Sequence, residues 1–470
     1  MSLPFDTFVF SGRRLEGRTA RLGYRLLGGG RTESFEEVFE FPAGTDRTAA
    51  DPADVEAALA GLHLIAGISY WKTCCPARIE LEHDALDGDD AAFWSEVYNR
   101  GLGELYYRNA LDPRGNARFP GRGEAAAGAA AEEEAAAAVA ATAAAAPPAA
   151  GPGAAGPPLV LAGGGKDSVV AYEIARTAAG SGGPPTPLTV VPAGQDWQLA
   201  PGGAGRGLRV ARRLDPRLFE LNAAGAYNGH VPFSAILAFA SQLVAVLGGF
   251  GAVIAANERS ASAGNLAVGD VEVNHQWSKG LRFEEAFQAW QRRHLRRVPA
   301  YFSLLRPLSE LRIAGLFAAW PEWFGAVTSC NANFRQGGGA GVRWCGRCAK
   351  CVFAAVVLTP WLDAGGIAAV FGPNPLAQSD NLPMVRQLLG LDGHKPWDCV
   401  GTSDEVAAAL WLAAERQPRS ALPALHWFRS TVAAGLERPD ELVARELAAS
   451  PVHRLPPPWR DALADYLAAR

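Results

Sequence analysis

The segment Leu159-Val160-Leu161-Ala162-Gly163-Gly164-Gly165-Lys166-Asp167-Ser168 restricts the fold of this chain more than any other. Its apolar start has the length and composition of a buried strand, its glycines permit a tight loop, and Lys166-Asp167-Ser168 opens the amphipathic run Val169 to Ala175. Strand, glycine loop and helix N-terminus, in that order, make an anion site. Glycine backbone lets a phosphate approach closely, the first helical N–H groups lack internal partners, and the helix dipole favours negative charge there. The spacing is not that of a Walker P-loop, nor are the glycines spaced as in a dinucleotide fingerprint. A glycine turn without a ligand is the competing reading. Lys166, Asp167 and Ser168 weigh against it, because each stands where phosphate and Mg²⁺ chemistry can use it.

Downstream, Pro187 to Val191 reads as a second buried strand, Arg217 to Leu221 as a third, Val231 to Leu247 as a helix and Ala252 to Ala256 as a further strand. Strands alternating with helices predict an α/β fold: a Rossmann-like parallel sheet with helices on both faces and ligands at the carboxyl ends of the strands. Polar clusters fall at such ends. They are Gly225-Ala226-Tyr227-Asn228-Gly229-His230, Asn257-Glu258-Arg259-Ser260-Ala261-Ser262-Ala263-Gly264-Asn265 and Asn274-His275-Gln276-Trp277-Ser278-Lys279. So many amides, hydroxyls and charges are costly to order unless they bind something, so the set predicts a substrate site. Any single member could equally belong to an ordinary hydrogen-bonded loop. The basic run Gln291 to Arg297, with Arg306 and Arg312 after it, reads as a solvated helix face, with contact to a diphosphate as the alternative.

A chain of 470 residues suggests two or three domains. Residues 1–122 read as an α+β N-terminal domain. Its strands alternate in Phe8-Val9-Phe10, Ala20 to Leu27 and Phe35 to Phe41, with helical spacing in Asp54 to Ala66 and Ala91 to Asn109. Residues 123–157 are an Ala/Pro/Gly-rich linker, 158–372 the catalytic domain and 373–470 a helical C-terminal region. The apolar stretch Ala235 to Ala256 is broken by Gln242 and Gly248-Gly249-Phe250-Gly251, so it reads as core and not as a membrane span. A formal charge of −4 argues against a broad nucleic-acid surface. With no secretory leader legible after Met1 and clustered cysteines, the expected location is cytoplasmic.

Cys330, Cys345, Cys348 and Cys351 have the spacing C-x14-C-x2-C-x2-C. Four thiolates at this density suit a tetrahedral Zn²⁺, and an iron–sulfur cluster could use the same ligands. Four sulfurs leave no open position, so the metal is expected to hold loops and not to activate water. Proton transfer at carbon is a rival role for Cys330. Cys74 and Cys75 have no nearby partner and read as buried or idle thiols.

The loop Gly163 to Ser168 resembles the Ser-Gly-Gly-x-Asp-Ser loop of the ATP pyrophosphatases, which cleave ATP between the α and β phosphates; Gly163 stands where that family has a serine. A nitrile-forming relative in that group, which makes the cyano-deazaguanine precursor of queuosine, carries a similar cysteine arrangement around structural zinc. Seven segments together resemble one family more closely: Gly163 to Ser168, Asn228 to Pro232, Asn257 to Ser262, Asn274 to Lys279, Tyr301 to Pro307, Trp344 to Cys351 and Gly393-His394-Lys395-Pro396. They are similar to the ATP-dependent UDP-N-acetylmuramoyl-L-alanyl-L-glutamate epimerases of the MurL type, and Gly67-Ile68-Ser69-Tyr70-Trp71-Lys72 extends the likeness into the N-terminal domain.

That resemblance implies inversion of the terminal L-glutamate of a UDP-linked muramoyl dipeptide in peptidoglycan precursor synthesis, with ATP and Mg²⁺ used and AMP and pyrophosphate released. Gly163, Gly164, Gly165, Lys166 and Ser168 would hold the triphosphate, Asp167 would help place Mg²⁺, and Lys166 and Arg259 would meet charge on the α-phosphate. Candidates for proton transfer at Cα are His230, Glu258, His275 and Lys279. The sequence leaves open which of them act and what the oligomeric state is. Two other functions compete: an ATP pyrophosphatase that modifies a nucleobase or tRNA, and a nucleotide-binding module without turnover.

Overall fold

Successive residues of the central strands are buried on opposite sides of one sheet, and this alternation organises the molecule. The computed structural model describes residues 4–45, 50–122, 155–178, 183–194, 207–334 and 343–470. Nearly all of the expected linker therefore lies outside the described residues. The large sheet contains β1 (Thr7–Glu16), β2 (Thr19–Gly28), β3 (Arg31–Glu40), β4 (Arg78–Leu81), β5 (Pro158–Leu161), β6 (Thr186–Pro192), β7 (Leu208–Arg213), β8 (Ala252–Ala255) and β11 (Ala300–Ser303). A separate small hairpin pairs β9 (Leu266–Val268) with β10 (Val271–Val273).

The order across the large sheet is β11-β8-β5-β6-β7-β3-β2-β1-β4. From β11 to β7 every neighbour is parallel. The β7–β3, β3–β2 and β2–β1 pairs are antiparallel, and β4 returns parallel to β1. The result is a mixed α/β fold with a large, mostly parallel sheet flanked by helices.

Leu159, Val253 and Tyr301 join one apolar cluster, while their neighbours Val160, Ile254 and Phe302 join another. The first cluster is completed by the helices Pro52–Ala66, Gly88–Gly101, Phe233–Gly248 and Leu281–His294, through residues such as Leu62, Trp94, Phe239 and Phe287. The second is completed by Lys166–Thr177, Glu310–Phe317, Ala349–Leu358 and Ser403–Arg416, through Ile174, Ile313, Val356 and Leu410. Near-continuous apolar runs such as Leu159-Val160-Leu161 are what a strand covered on both faces requires. Ala235 to Ala256 divides into a buried helix and β8, as expected. No helix among the described residues is long and apolar enough to cross a membrane.

Two local expectations change. Arg217 to Leu221 is helical, within Pro216–Ala223, and the strand is the preceding Leu208–Arg213. Asp215 accepts the Arg217 N–H as an N-cap and Pro216 occupies the first turn, a helix-start signal that outweighs the short apolar run. The segment Ala91 to Asn109 is two helices, Gly88–Gly101 and Gly103–Arg108, broken at Leu102. Gly101 permits a close approach there: a Cβ on it would stand 2.7 Å from Pro232 Cγ.

The segments on either side of 123–157 share the large sheet through β3 and β7, where Val38–Glu40 pair with Arg213–Ala211. Beside that seam Arg212 Nε lies 2.5 Å from the fully buried Glu37, and Arg217 forms a bidentate pair with Glu33 at 2.8 Å.

Candidate active site

Because β5, β8 and β11 run parallel, the loops that follow them leave from one edge of the sheet. The loop after β5 is the glycine segment. Gly164 takes a φ of 89°, a left-handed conformation that a Cβ would strain. Gly165 is the N-cap of Lys166–Thr177, and no side chain caps this helix. Ser168 Oγ accepts the Gly163 N–H at 2.9 Å and so closes the loop.

Lys166 Nζ lies 2.6 Å from Asp167 Oδ1 and also contacts the Glu310 carboxylate. Burial works to lower the lysine, but the charges of Asp167 and Glu310 outweigh it and raise it above its ordinary range. Burial pushes Glu310 well up, against the pull of Lys166. The residues match an anion site: a locked cation, a helix N-terminus without a side-chain cap, and a carboxylate able to share a divalent ion.

Glu258, 1% exposed, follows β8. Its Oε1 is 4.0 Å from Lys279 Nζ. Burial works to raise Glu258, but Lys279 and Lys166 hold it below the usual carboxylate range. Lys279 is disfavoured by burial yet raised by Cys399, Glu258, Asp167 and Glu310. The glycine loop and the polar clusters after β8 and β10 therefore lie in one electrostatic field.

Arg306 holds this framework. Its guanidinium donates to the backbone carbonyls of Glu258 at 2.7 Å and Lys279 at 2.5 Å, and pairs with Glu284 at 3.1 Å. It is 1% exposed, so neither the solvated face nor the diphosphate contact describes it.

The rings of His230 and His275 are tilted at 43° to one another, with centroids 4.1 Å apart. His275 Nδ1 lies 2.5 Å from Glu104 Oε2, and the Cys399 thiol acts electrostatically on the same ring. Glu104, His230 and His275 place their ligand atoms within 4.8 Å of one another, with Cys399 beside them in the same electrostatic field. Burial lowers the imidazole, but Cys399 and Glu104 bring it up to about 9. Burial and the adjacent His275 push His230 well down, so it is neutral. Burial works to raise Cys399, but Lys279 and His275 bring it down to about 6.

Cys399 lies in a loop pinned by three side-chain amides. Asn265 donates to Pro396 O at 3.1 Å, Gln276 to Val400 O at 3.3 Å and Asn331 to Asp398 Oδ1 at 2.5 Å. In the same loop Lys395 Nζ is buried without a hydrogen-bond partner. Burial lowers this lysine, while Glu405, Glu258, Cys399 and Glu310 pull the other way. The N-terminal segment reaches the region through Lys72, whose Nζ is 3.4 Å from Asn228 Oδ1 and whose burial lowers it to about 8.

The structure thus brings Lys166, Asp167, Glu258 and Lys279 into one region, with His230 and His275 joined to it through Cys399 and Lys279. Arg259 is placed differently, paired with Glu446 of the helix Pro439–Leu447 and bonded to Ala448 O at 3.4 Å. Sequence reasoning missed Cys399, Lys395, Glu310 and Glu104. Gly393 to Pro396 carries part of the family likeness, but nothing local marks Cys399 as reactive; its neighbours come from distant segments.

The sulfur atoms of Cys330, Cys345, Cys348 and Cys351 lie within 4.8 Å of one another. Cys351 Sγ is 3.8 Å from Cys345 Sγ and 3.5 Å from Cys348 Sγ. Tetrahedral Zn–S bonds of about 2.3 Å would set sulfurs about 3.8 Å apart, so the four cysteines could hold a metal and are compatible with zinc. Cys330 sits in this cluster, and two residues before it Thr328 N donates to Gly164 O at 2.9 Å. The cysteine knot is thereby coupled to the glycine loop. Burial pushes Cys75 up to about 12, in keeping with an idle thiol.

Residues 2–304 match the family model of the MurL N-terminal domain, and residues 326–442 that of the MurL C-terminal domain. The chain is 37% identical to the UDP-N-acetyl-alpha-D-muramoyl-L-alanyl-L-glutamate epimerase of a Micromonospora species, over 98% of both chains. It is 38% identical to the enzyme of that name in Xanthomonas oryzae pv. oryzae, over 89% of this chain and 88% of the other. The Salinispora tropica epimerase is 38% identical, over 87% of this chain and 85% of its own. No solved structure matches the chain significantly.

Proposed function

The chain belongs to the MurL family, and from that premise we propose that it converts the terminal L-glutamate of UDP-N-acetylmuramoyl-L-alanyl-L-glutamate to D-glutamate, at the expense of ATP. The observation that carries the ATP-dependent reading is the convergence, at one sheet edge, of the Lys166 glycine loop with the Glu258, Lys279 and Cys399 cluster. Nucleotide activation and proton transfer would then act on one substrate carboxyl.

The need for activation is electrostatic. A free carboxylate beside Cα resists a second negative charge, so the Cα proton is barely acidic. Attack of a carboxylate oxygen on the α-phosphorus expels pyrophosphate and leaves an acyl-adenylate. With the carboxylate charge masked, the electron pair freed at Cα can delocalise onto the carbonyl oxygen. Return of a proton to the opposite face inverts the centre, and water then releases AMP and the product.

Lys166 and the N–H groups of the glycine loop would bind the phosphates. Asp167 would hold Mg²⁺, which supplies charge neutralisation at the leaving pyrophosphate. A zinc ion on the four cysteines would fix the Thr328 to Cys330 segment against Gly164. The ATP pyrophosphatase-like character of the core belongs to the same proposal, as does a cytoplasmic location where ATP and the UDP-linked precursor are available. Incubation with ATP, Mg²⁺ and the muramoyl dipeptide, followed by chiral analysis of the glutamate and assay of pyrophosphate, tests the reading. D-glutamate with stoichiometric pyrophosphate is expected; no D-glutamate rejects the epimerase, and D-glutamate without pyrophosphate rejects the adenylate.

A further inference from the structure

An acid or base for Cα must be reachable, ionised in the right sense near neutral pH, and close to the activated carboxyl. Glu258 is fully buried against Lys279 and anchored through Arg306, which suits a fixed counter-charge better than a group that must meet carbon. His230 makes no ion pair or side-chain hydrogen bond among the described residues and packs at a tilt against His275. His275 is held on Nδ1 by Glu104, with the Cys399 sulfur in its field. Cys399 is half-buried, on a loop held from three sides by Asn265, Gln276 and Asn331, the first two from the polar clusters that carry Glu258, His275 and Lys279.

We propose that Cys399 is a catalytic acid/base that moves the glutamyl Cα proton, and that Glu104 and His275 are positioning residues that hold its sulfur as the thiolate. This rests on the acyl-adenylate reading above. In the forward step the thiolate takes the Cα proton and becomes a thiol, while the C–H electron pair passes into the adenylated carbonyl as an enolate. An ammonium of the same cluster delivers a proton to the other face of Cα, and exchange with water resets both groups.

The surroundings favour this role over an inert thiol. Lys279 and Lys350 both place positive charge near the sulfur, and the buried, unpartnered ammonium of Lys395 lies in the same field. A thiolate next to an imidazolium and ammonium groups is the setting that makes cysteine reactive, and Glu104 holds the imidazolium charge and fixes the orientation of the ring. Arg108 takes the other carboxylate oxygen of Glu104 at 2.6 Å, so this acid is committed to holding His275.

The test uses the full chain in heavy water with ATP, Mg²⁺ and the UDP-muramoyl-L-alanyl-L-glutamate. Deuterium at the glutamyl Cα is read separately from ATP–pyrophosphate exchange. Cys399→Ser is expected to lose Cα exchange by about 100-fold or more, the usual worth of a general base, with a much smaller loss of pyrophosphate exchange. His275→Gln is expected to move the lower limb of the Cα-exchange pH profile upward, a shift that a purely structural role would not give. Cα exchange that persists at the native rate in Cys399→Ser overturns the proposal. So does a hydroxylamine-labile adduct between substrate and Cys399 in the native protein, which would make the thiolate a nucleophile. Absence of pyrophosphate exchange in the native protein, with Cα exchange intact, would reject the adenylate and leave the cysteine assignment standing.

Discussion

At the scale of single residues, the site is governed by buried charges whose partners decide their state. The Cys399–His275 couple makes the first prediction. Catalysis needs the thiolate, so kcat/KM should rise as pH climbs through about 6. It should fall again as the imidazolium loses its proton near 9. Glu104, His230, Lys279 and Lys350 all act on this couple, so the two limbs report the set and not isolated groups. A pH–rate profile of D-glutamate formation that is flat from pH 5 to pH 10 would contradict the arrangement. Arg306 makes the second. Arg306→Met leaves Glu284 buried without its cation and frees the Glu258 and Lys279 carbonyls, so it should cost about 3–5 kcal/mol in urea unfolding. Arg259→Ala leaves the buried Glu446 with a second cation, Arg445, at 3.2 Å, and should cost far less. Of the site residues, Lys166, Asp167, Glu258, His275 and Lys279 were legible because they sit in polar runs directly after apolar strands, and His230 because its run is polar although the element before it is a helix. Cys399 and Glu310 were not, because their chemistry comes from partners distant in sequence, and no local pattern encodes that.

Elements position those residues, and two of them carry measurable signatures. The helix Pro52–Ala66 packs on β2 through His63, whose Nε2 bonds Gly23 O at 3.0 Å and whose Nδ1 is buried without a partner. Burial holds this imidazole neutral, lowering it from 6.5 to about 4. Between those values the unfolded chain binds a proton that the folded chain does not, so stability is lost as pH falls through that window. The loss should reach about 3 kcal/mol, and denaturant titrations at pH 7 and pH 4 should show it in the native protein but not in His63→Leu. The cysteine knot is the second case. It joins the segment ending at Cys330 to the N-terminus of Ala349–Leu358, and through Thr328 it reaches the glycine loop. Cys348→Ser should therefore release the metal, read by elemental analysis, and also weaken ATP–pyrophosphate exchange although Cys348 is not expected to touch nucleotide. Unchanged exchange in metal-free protein would uncouple the knot from the loop. The knot was readable from spacing alone, since C-x2-C-x2-C is itself a local constraint. The helix Pro216–Ala223 was misread as a strand because a short apolar run is compatible with both periods, and the Asp215-Pro216 start signal had to be weighed against it.

On the scale of the whole molecule, the distinct composition of residues 123–157 reads as a boundary, yet the sheet passes from β7 to β3 without a gap in its pairing. A boundary inferred from sequence marks where packing residues run out along the chain, while strand pairing is decided by residues far apart in it. Here the antiparallel β1–β3 sheet was visible as alternation, but its attachment to the parallel part was not. Attachment depends on Val38–Glu40 meeting Ala211–Arg213, with Glu37 and Arg212 paired at the seam. One apolar cluster draws on both sides of the seam: Leu62, Ile65 and Trp94 from the first segment, Phe239, Leu243 and Phe287 from the second. Separating them would leave β7 as an open edge and uncover the apolar face of Phe233–Gly248. The catalytic segment is therefore not expected to fold alone. A fragment of residues 155–470 should aggregate, or bind a hydrophobic dye and lose cooperative melting, while co-expression with residues 1–122 should restore a soluble complex. Lys72 makes the same point functionally, because it reaches Asn228 from the N-terminal side, so a fragment that did fold would still lack a cation at the site. If residues 155–470 alone melted cooperatively at the temperature of the intact chain, the shared sheet would be an ornament of the fold and not a condition for it.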